Sequence, residues 1–168
     1  MVRDAVVDWK SQRDHSEFGV IPKPREQHPS IVKIDNLDLS LVKDKLCLPV
    51  EKGGKGWTSE RFVQAQQHYR MFLLVSFYFP EEGLVPTEEV DEVWHTHILF
   101  MRKYEQDCVA IFGRILYHEP ANESQESQNL MKRNLVRTKE LFTKVFGSSF
   151  MYSGKDFLDC CRCSCGSD

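Results

Sequence analysis

The chain has 168 residues, 41% of them hydrophobic and 11% aromatic, enough apolar material for one domain whose core needs no staples to fold. Its 22 basic and 25 acidic residues leave a net charge of −3, which supplies neither the field of a nucleic-acid binder nor that of a membrane-surface binder. Residues 1–15 carry charges throughout, without the apolar run of a signal peptide, and no later segment approaches a membrane-spanning length. The expected compartment is the cytoplasm.

Residues 1–33 are mixed in character, and IPKPREQHPS places three prolines in a polar setting, so an extended arm is expected there. NLDLSLVKDKLCL sets Leu37, Leu41 and Cys47 in a helical rhythm, and PVEKGGKG, with one proline and three glycines, ends that short helix in a loop. In TSERFVQAQQHYRMFLLVSFYF, Thr58 or Ser59 suits an N-cap and Pro80 a stop. The polar first half favours a helix, and the all-apolar second half implies that it is buried.

PTEEVDEVWHTHILFMRKYEQDCVAIFG opens with Pro86, a Thr87 cap and acidic residues in the first turn, and Gly113 stands where a C-terminal cap belongs, so one continuous helix is expected. SQNLMKRNLVRTKELFTKVFG is amphipathic, with Leu130, Leu141, Phe142, Val145 and Phe146 on one face and Arg133, Arg137 and Lys144 on a solvated one, and Gly147 stops it. With no strong period-2 run and no repeat, the expected fold is all-α: a small helical bundle at 34–150, an extended N-terminal arm at 1–33 and a flexible cysteine-rich tail at 151–168.

On one continuous helix, Val90, Val93, Trp94, His97, Met101, Tyr104, Cys108 and Ile111 fall within about a third of the circumference. His97 sits at the centre of that apolar arc and reads as a hydrogen-bonded core histidine; Trp94 and Tyr104 read as packing anchors. Cys108, about 16 Å from His97 along such a helix, reads as a small buried hydrophobe rather than as the nucleophile of a Cys-His dyad. His95 points to the opposite side, so His95 and His97 do not share one metal ion.

His95 instead shares its side with Asp91, one turn earlier, and with Glu88 and Glu92. His118, five residues past Gly113, is placed to fold back and complete a three-ligand site with an open position. The alternative for Asp91 and His95 is an ion pair that suits the helix N-terminus. EVWH has the Glu-x-x-His spacing of carboxylate di-metal bundles, but no second copy exists.

The tail DCCRCSCGSD holds Cys160, Cys161, Cys163 and Cys165, a thiolate set suited to copper or zinc though more tightly spaced than a zinc knuckle. Idle thiols, acylation and redox modification are the alternatives there.

Asp91, Trp94, His95, His97, Tyr104, Cys108, Gly113, His118 and Pro120, in the order DEVWHTHILFMRKYEQDCVAIFGRILYHEP, resemble the glycine-rich domain-containing protein-like family, formerly a domain of unknown function. Plant members follow this helical module with long glycine-rich regions, whereas this chain, with nine glycines, resembles the short stand-alone bacterial relatives. The resemblance groups the three histidines in one pattern and implies no reaction. The leading expectation is therefore a cytoplasmic transition-metal binder, using zinc or copper at Asp91, His95 and His118, at the tail cysteines, or at both. Two others stand beside it: a non-enzymatic module that meets a protein partner, and a metal-assisted hydrolase with Glu88 or Glu92 as general base. Neither nucleic acid nor a membrane is an expected partner.

Overall fold

A computed structural model of the protein describes residues 28–118 and 124–152. Among them the structure is all-α, without a strand: α1 (Pro29–Asp35), α2 (Ser40–Cys47), α3 (Ser59–Tyr78), α4 (Glu88–Leu99), α5 (Met101–Phe112) and α6 (Gln125–Phe146). No helix among these residues is long and apolar enough to cross a membrane.

α1 begins inside the segment that the sequence assigns to the arm. Pro29 is a first-turn residue that needs no hydrogen bond from its nitrogen, and the His28 ring accepts the Ser30 N–H at 3.2 Å. Ile31 and Ile34 are then buried against α3 and α5. In α2 the buried pair is Val42 and Leu46. Leu41, read from sequence as part of the apolar rhythm, is 45% exposed. The loop that follows turns back so tightly that a Cβ on Gly54 would stand 1.9 Å from the Leu48 carbonyl oxygen. Only glycine fits there.

α3 is the central helix, packed against α1, α2, α4 and α6. The Thr58 side chain caps it by accepting the Arg61 N–H at 3.2 Å, and every residue from Met71 to Ser76 is buried. Its apolar second half therefore faces neighbours on all sides, which stabilises it as a core helix.

The single helix expected from Thr87 to Gly113 is two helices. At Phe100 the backbone leaves the helical region (φ −88°, ψ 57°), closing α4 and opening α5. Met101, placed by continuous periodicity in the buried arc, is instead 75% exposed, while Val90, Val93, Trp94, His97, Tyr104, Cys108 and Ile111 are buried. The physical cause is in the side chains. The Trp94 indole N–H donates to the Tyr104 hydroxyl at 2.8 Å, and His97 Nε2 lies 3.0 Å from Asp107 Oδ2. Partners ten residues apart on a straight helix would be separated by about 15 Å.

α6 buries Leu141, Phe142, Val145 and Phe146, but Leu130, assigned to the same face from sequence, is 47% exposed because the first turns of α6 extend beyond the core. Arg137 and Lys144 of its basic stripe meet the domain: Arg137 Nη2 lies 2.7 Å from Glu82, and Lys144 lies 5.6 Å from the Phe79 ring centre. Tyr152, beyond the expected domain limit at 150, is 2% exposed and donates to the Val85 carbonyl.

The buried Thr138 hydroxyl joins α6 to the loop before α4, accepting the Val85 N–H at 3.0 Å and donating to the Asn134 carbonyl at 2.7 Å. Thr138→Val keeps the shape and strands the Val85 donor, so a loss of about 1–3 kcal/mol is expected. A urea midpoint unchanged from the parent would refute this role.

Candidate metal centre

Thr87 caps α4 by accepting the Val90 N–H, and Glu88, Glu89 and Asp91 occupy its first turn, where negative charge suits the helix N-terminus. Four residues after Asp91 comes His95, on the same side of the helix. Its Nδ1 lies 3.2 Å from Asp91 Oδ2. The other carboxylate oxygen, Oδ1, lies 2.7 Å from Nε2 of His118. His118 reaches this point because Gly113 turns the chain out of α5 with φ +72° and the segment after it runs back over α4.

One ligand atom from each of Asp91, His95 and His118 lies within 4.8 Å of the others. The two imidazole centroids are 4.3 Å apart, and the Trp94 ring backs His118 at 4.4 Å. The group is graded in exposure: the side chains of His95, Asp91 and His118 are 51%, 29% and 13% exposed. One side faces solvent and the other rests on packed aromatic rings. A mixed set of two imidazoles and one carboxylate suits borderline transition-metal ions rather than calcium or magnesium, which take oxygen donors.

Two of the flanking carboxylates have other partners. Glu92 lies 3.2 Å from Lys55 Nζ, and Glu89 lies 2.7 Å from Arg61 Nε. Glu88 is exposed and stands outside the three-residue group.

His97 occupies the opposite side of α4. It is 1% exposed, its Nδ1 lies 3.1 Å from the Tyr69 hydroxyl, and its Nε2 faces Asp107, which also receives Lys103 at 2.9 Å. A neutral imidazole satisfies both contacts, accepting from Tyr69 at Nδ1 and donating to Asp107 from Nε2. Burial pushes its pKa down, against the pull of the Asp107 carboxylate. Neither Tyr69 nor Asp107 was found from sequence. Tyr69 comes from another helix, and Asp107 reaches His97 only through the break at Phe100. The signal for that break was the run Ile98, Leu99, Phe100, Met101, four apolar residues that cannot all face one core from a single helix.

Cys108 and Cys47 are free thiols, and burial pushes the Cys108 thiol above its usual value. That is the reverse of what an activated nucleophile requires. Cys160, Cys161, Cys163 and Cys165, the expected tail cluster, lie outside the described residues.

A family model described as UCP032817-like matches residues 41–141, a span that contains Asp91, His95, His97 and His118. The chain belongs to the UCP032817-like family. It is also similar to two proteins of Arabidopsis thaliana. With "Glycine-rich domain-containing protein 1" it shares 29% identity over 101 residues, 57% of this chain and 12% of that protein. With "Glycine-rich domain-containing protein 2" it shares 26% over 70 residues, 42% of this chain and 9% of that protein. The chain thus spans about a tenth of the length of these relatives, and the likeness is to one segment of each. No solved structure matches it. The UCP032817-like span takes in α3, α4, α5 and the return to His118, so the metal-ligating candidates and the elements that carry them fall within the matched segment.

Replacing His97 with alanine removes a buried ring and strands the Tyr69 hydroxyl and the Asp107 carboxylate, so His97→Ala is expected to lower stability by about 1–3 kcal/mol. Because the folded pKa is depressed, the neutral ring stabilises the fold fully above the unfolded value of about 6.5, and this is lost as pH falls below it. The stability gap between parent and variant, measured by denaturant unfolding, should therefore narrow from pH 7.5 to pH 5 (roughly one unit above and below the ordinary histidine range). A gap that widens in acid would mean that the ring is held as a cation.

Proposed function

We propose that this chain is a transition-metal-binding module of its family, holding a divalent ion, zinc or copper, at Asp91, His95 and His118. The observation that carries the reading is the convergence of three ligand atoms within 4.8 Å on a partly open surface. Bound to zinc at about 2.1 Å, tetrahedral ligands stand about 3.4 Å apart, a contraction that small rotations of the two imidazoles supply. His95 Nδ1 and His118 Nε2 would then give up their hydrogen bonds to Asp91 and carry their protons on the other ring nitrogen. Three protein donors leave a fourth position on the solvent side for water or another ligand.

Cys160, Cys161, Cys163 and Cys165 add a softer donor set to the proposal, suited to Cu(I) or Zn(II). A cytoplasmic setting, which keeps thiols reduced, belongs with it. Hydrolysis is the less favoured extension, since Glu92 is engaged by Lys55 and Glu88 is not part of the ligand group. The competing reading is a purely structural clip, and one observation favours it: each Asp91 carboxylate oxygen already has an imidazole nitrogen at hydrogen-bond distance.

Calorimetric titration of zinc and copper(II) separates the two, using full-length protein with the four tail cysteines replaced by serine. Loss of a ligand costs at least as much as loss of its supporting contacts, so His95→Ala and His118→Ala are each expected to weaken binding by about 100-fold or more. The double variant should be little worse than either alone, and His97→Ala should leave the affinity near the parent's. If the parent binds no tighter than the double variant, Asp91, His95 and His118 form a clip and nothing more.

A further inference from the structure

The segment from Arg114 to His118 has no regular structure, so a few contacts must fix the position of His118. The Arg114 side chain donates to the Pro80 carbonyl at 3.0 Å, on the exposed side. Inside, both polar groups of the Leu116 backbone face α5, and the carbonyl is held there by a hydrogen bond. The Tyr104 hydroxyl donates to the Leu116 carbonyl, and the Leu116 N–H faces the Cys108 thiol. Tyr104 and Cys108 are one turn apart on α5, and both are buried.

The same hydroxyl has a second partner. Its oxygen accepts the Trp94 indole N–H at 2.8 Å, and the Trp94 ring is the one that backs His118 at 4.4 Å. Tyr104 therefore touches both the surface on which His118 rests and the backbone that delivers it, while standing outside the three-residue group itself. Burial keeps the phenol protonated, so it remains a donor across the working pH range.

We propose that Tyr104 is a positioning residue of the Asp91, His95, His118 centre: by joining the Trp94 indole to the Leu116 carbonyl, its hydroxyl sets the return segment so that His118 meets Asp91. The role in metal affinity rests on the metal reading above; the role in placing His118 stands apart from it.

Tyr104→Phe removes the hydroxyl and keeps the ring that packs edge-on to His97, with centroids 5.1 Å apart. In metal-free, histidine-labelled full-length protein, the ring protons of His118 feel the Trp94 ring current. Tyr104→Phe is expected to move them toward the values of an exposed histidine while leaving those of His97 in place. In the protein with its four tail cysteines replaced by serine, the same substitution should weaken zinc binding about 10-fold to 100-fold, as loss of an outer-shell contact does. It should weaken it no further in a His118→Ala background, whereas a general loosening of the fold would act in both. Should Tyr104→Phe fail to keep its helical signal, Cys108→Ala, which frees the other polar group of Leu116, is expected to shift His118 in the same direction. A parent that binds no zinc would remove the metal reading and leave the His118 resonances to decide the positioning role. His118 resonances unchanged in the folded variant would overturn it.

Discussion

The reversal at Phe100 is the constraint on which the rest of the molecule depends. A helix continued from Glu88 to Phe112 would carry Tyr104 and Asp107 far along its axis from Trp94 and His97. Breaking it costs the helical hydrogen bonds that the first turn of α5 would otherwise make to α4. Two side-chain bonds, the buried one from Trp94 to Tyr104 and the part-buried one between His97 and Asp107, offset that cost where unpaired polar groups would be expensive. With α5 folded back, the chain leaving Gly113 starts beside α4 and reaches Asp91 within five residues. Without the reversal, His118 would begin its return from the wrong end of the helix.

The three histidines divide by environment along one short stretch. His97 follows His95 by two positions, which turns them to opposite sides of α4, and the consequences follow from burial alone. His97 is enclosed, satisfied at both nitrogens and held neutral by desolvation. His95 is half exposed and shares a carboxylate with His118. The dense core on one side gives the other a rigid floor, because Trp94 packs on Phe72 of α3 and at the same time backs His118. Precision in a metal-ligating group comes from such packing, and it costs nothing in solvent access on the far side.

Much of this was legible in the sequence, for reasons that are local. Thr58, Thr87, Gly113 and Gly147 mark helix ends because their side chains, or the lack of one, satisfy backbone groups that every helix leaves open. The placement of His95 with Asp91, and of His97 on the buried side, follows from helical spacing within α4, where the helix is regular. The proximity of His118 was readable from the glycine stop and a short return. What sequence spacing missed depends on contacts between elements. No glycine or proline marks Phe100, so the helix was extended through it, and Met101 was buried by arithmetic that ceased to apply one residue earlier. Pro29 was read as loop material although its fixed φ also suits a first helical turn. Tyr69 and Asp107, the partners of His97, come from elements whose packing no periodicity within α4 could reveal.

The way Asp91 is engaged bears on which cation the proposed centre would select. Each carboxylate oxygen faces an imidazole nitrogen, so a cation entering the group must replace two existing interactions rather than fill an empty cage. A hard cation gains little from imidazole nitrogen and would give up those contacts for a single carboxylate. Zinc or copper would gain two nitrogen ligands and one oxygen ligand, an exchange whose balance favours such ions over hard ones. Under the proposed reading, the clip and a metal-bound centre would be alternative states of one set of side chains, both framed by α4 and its return segment.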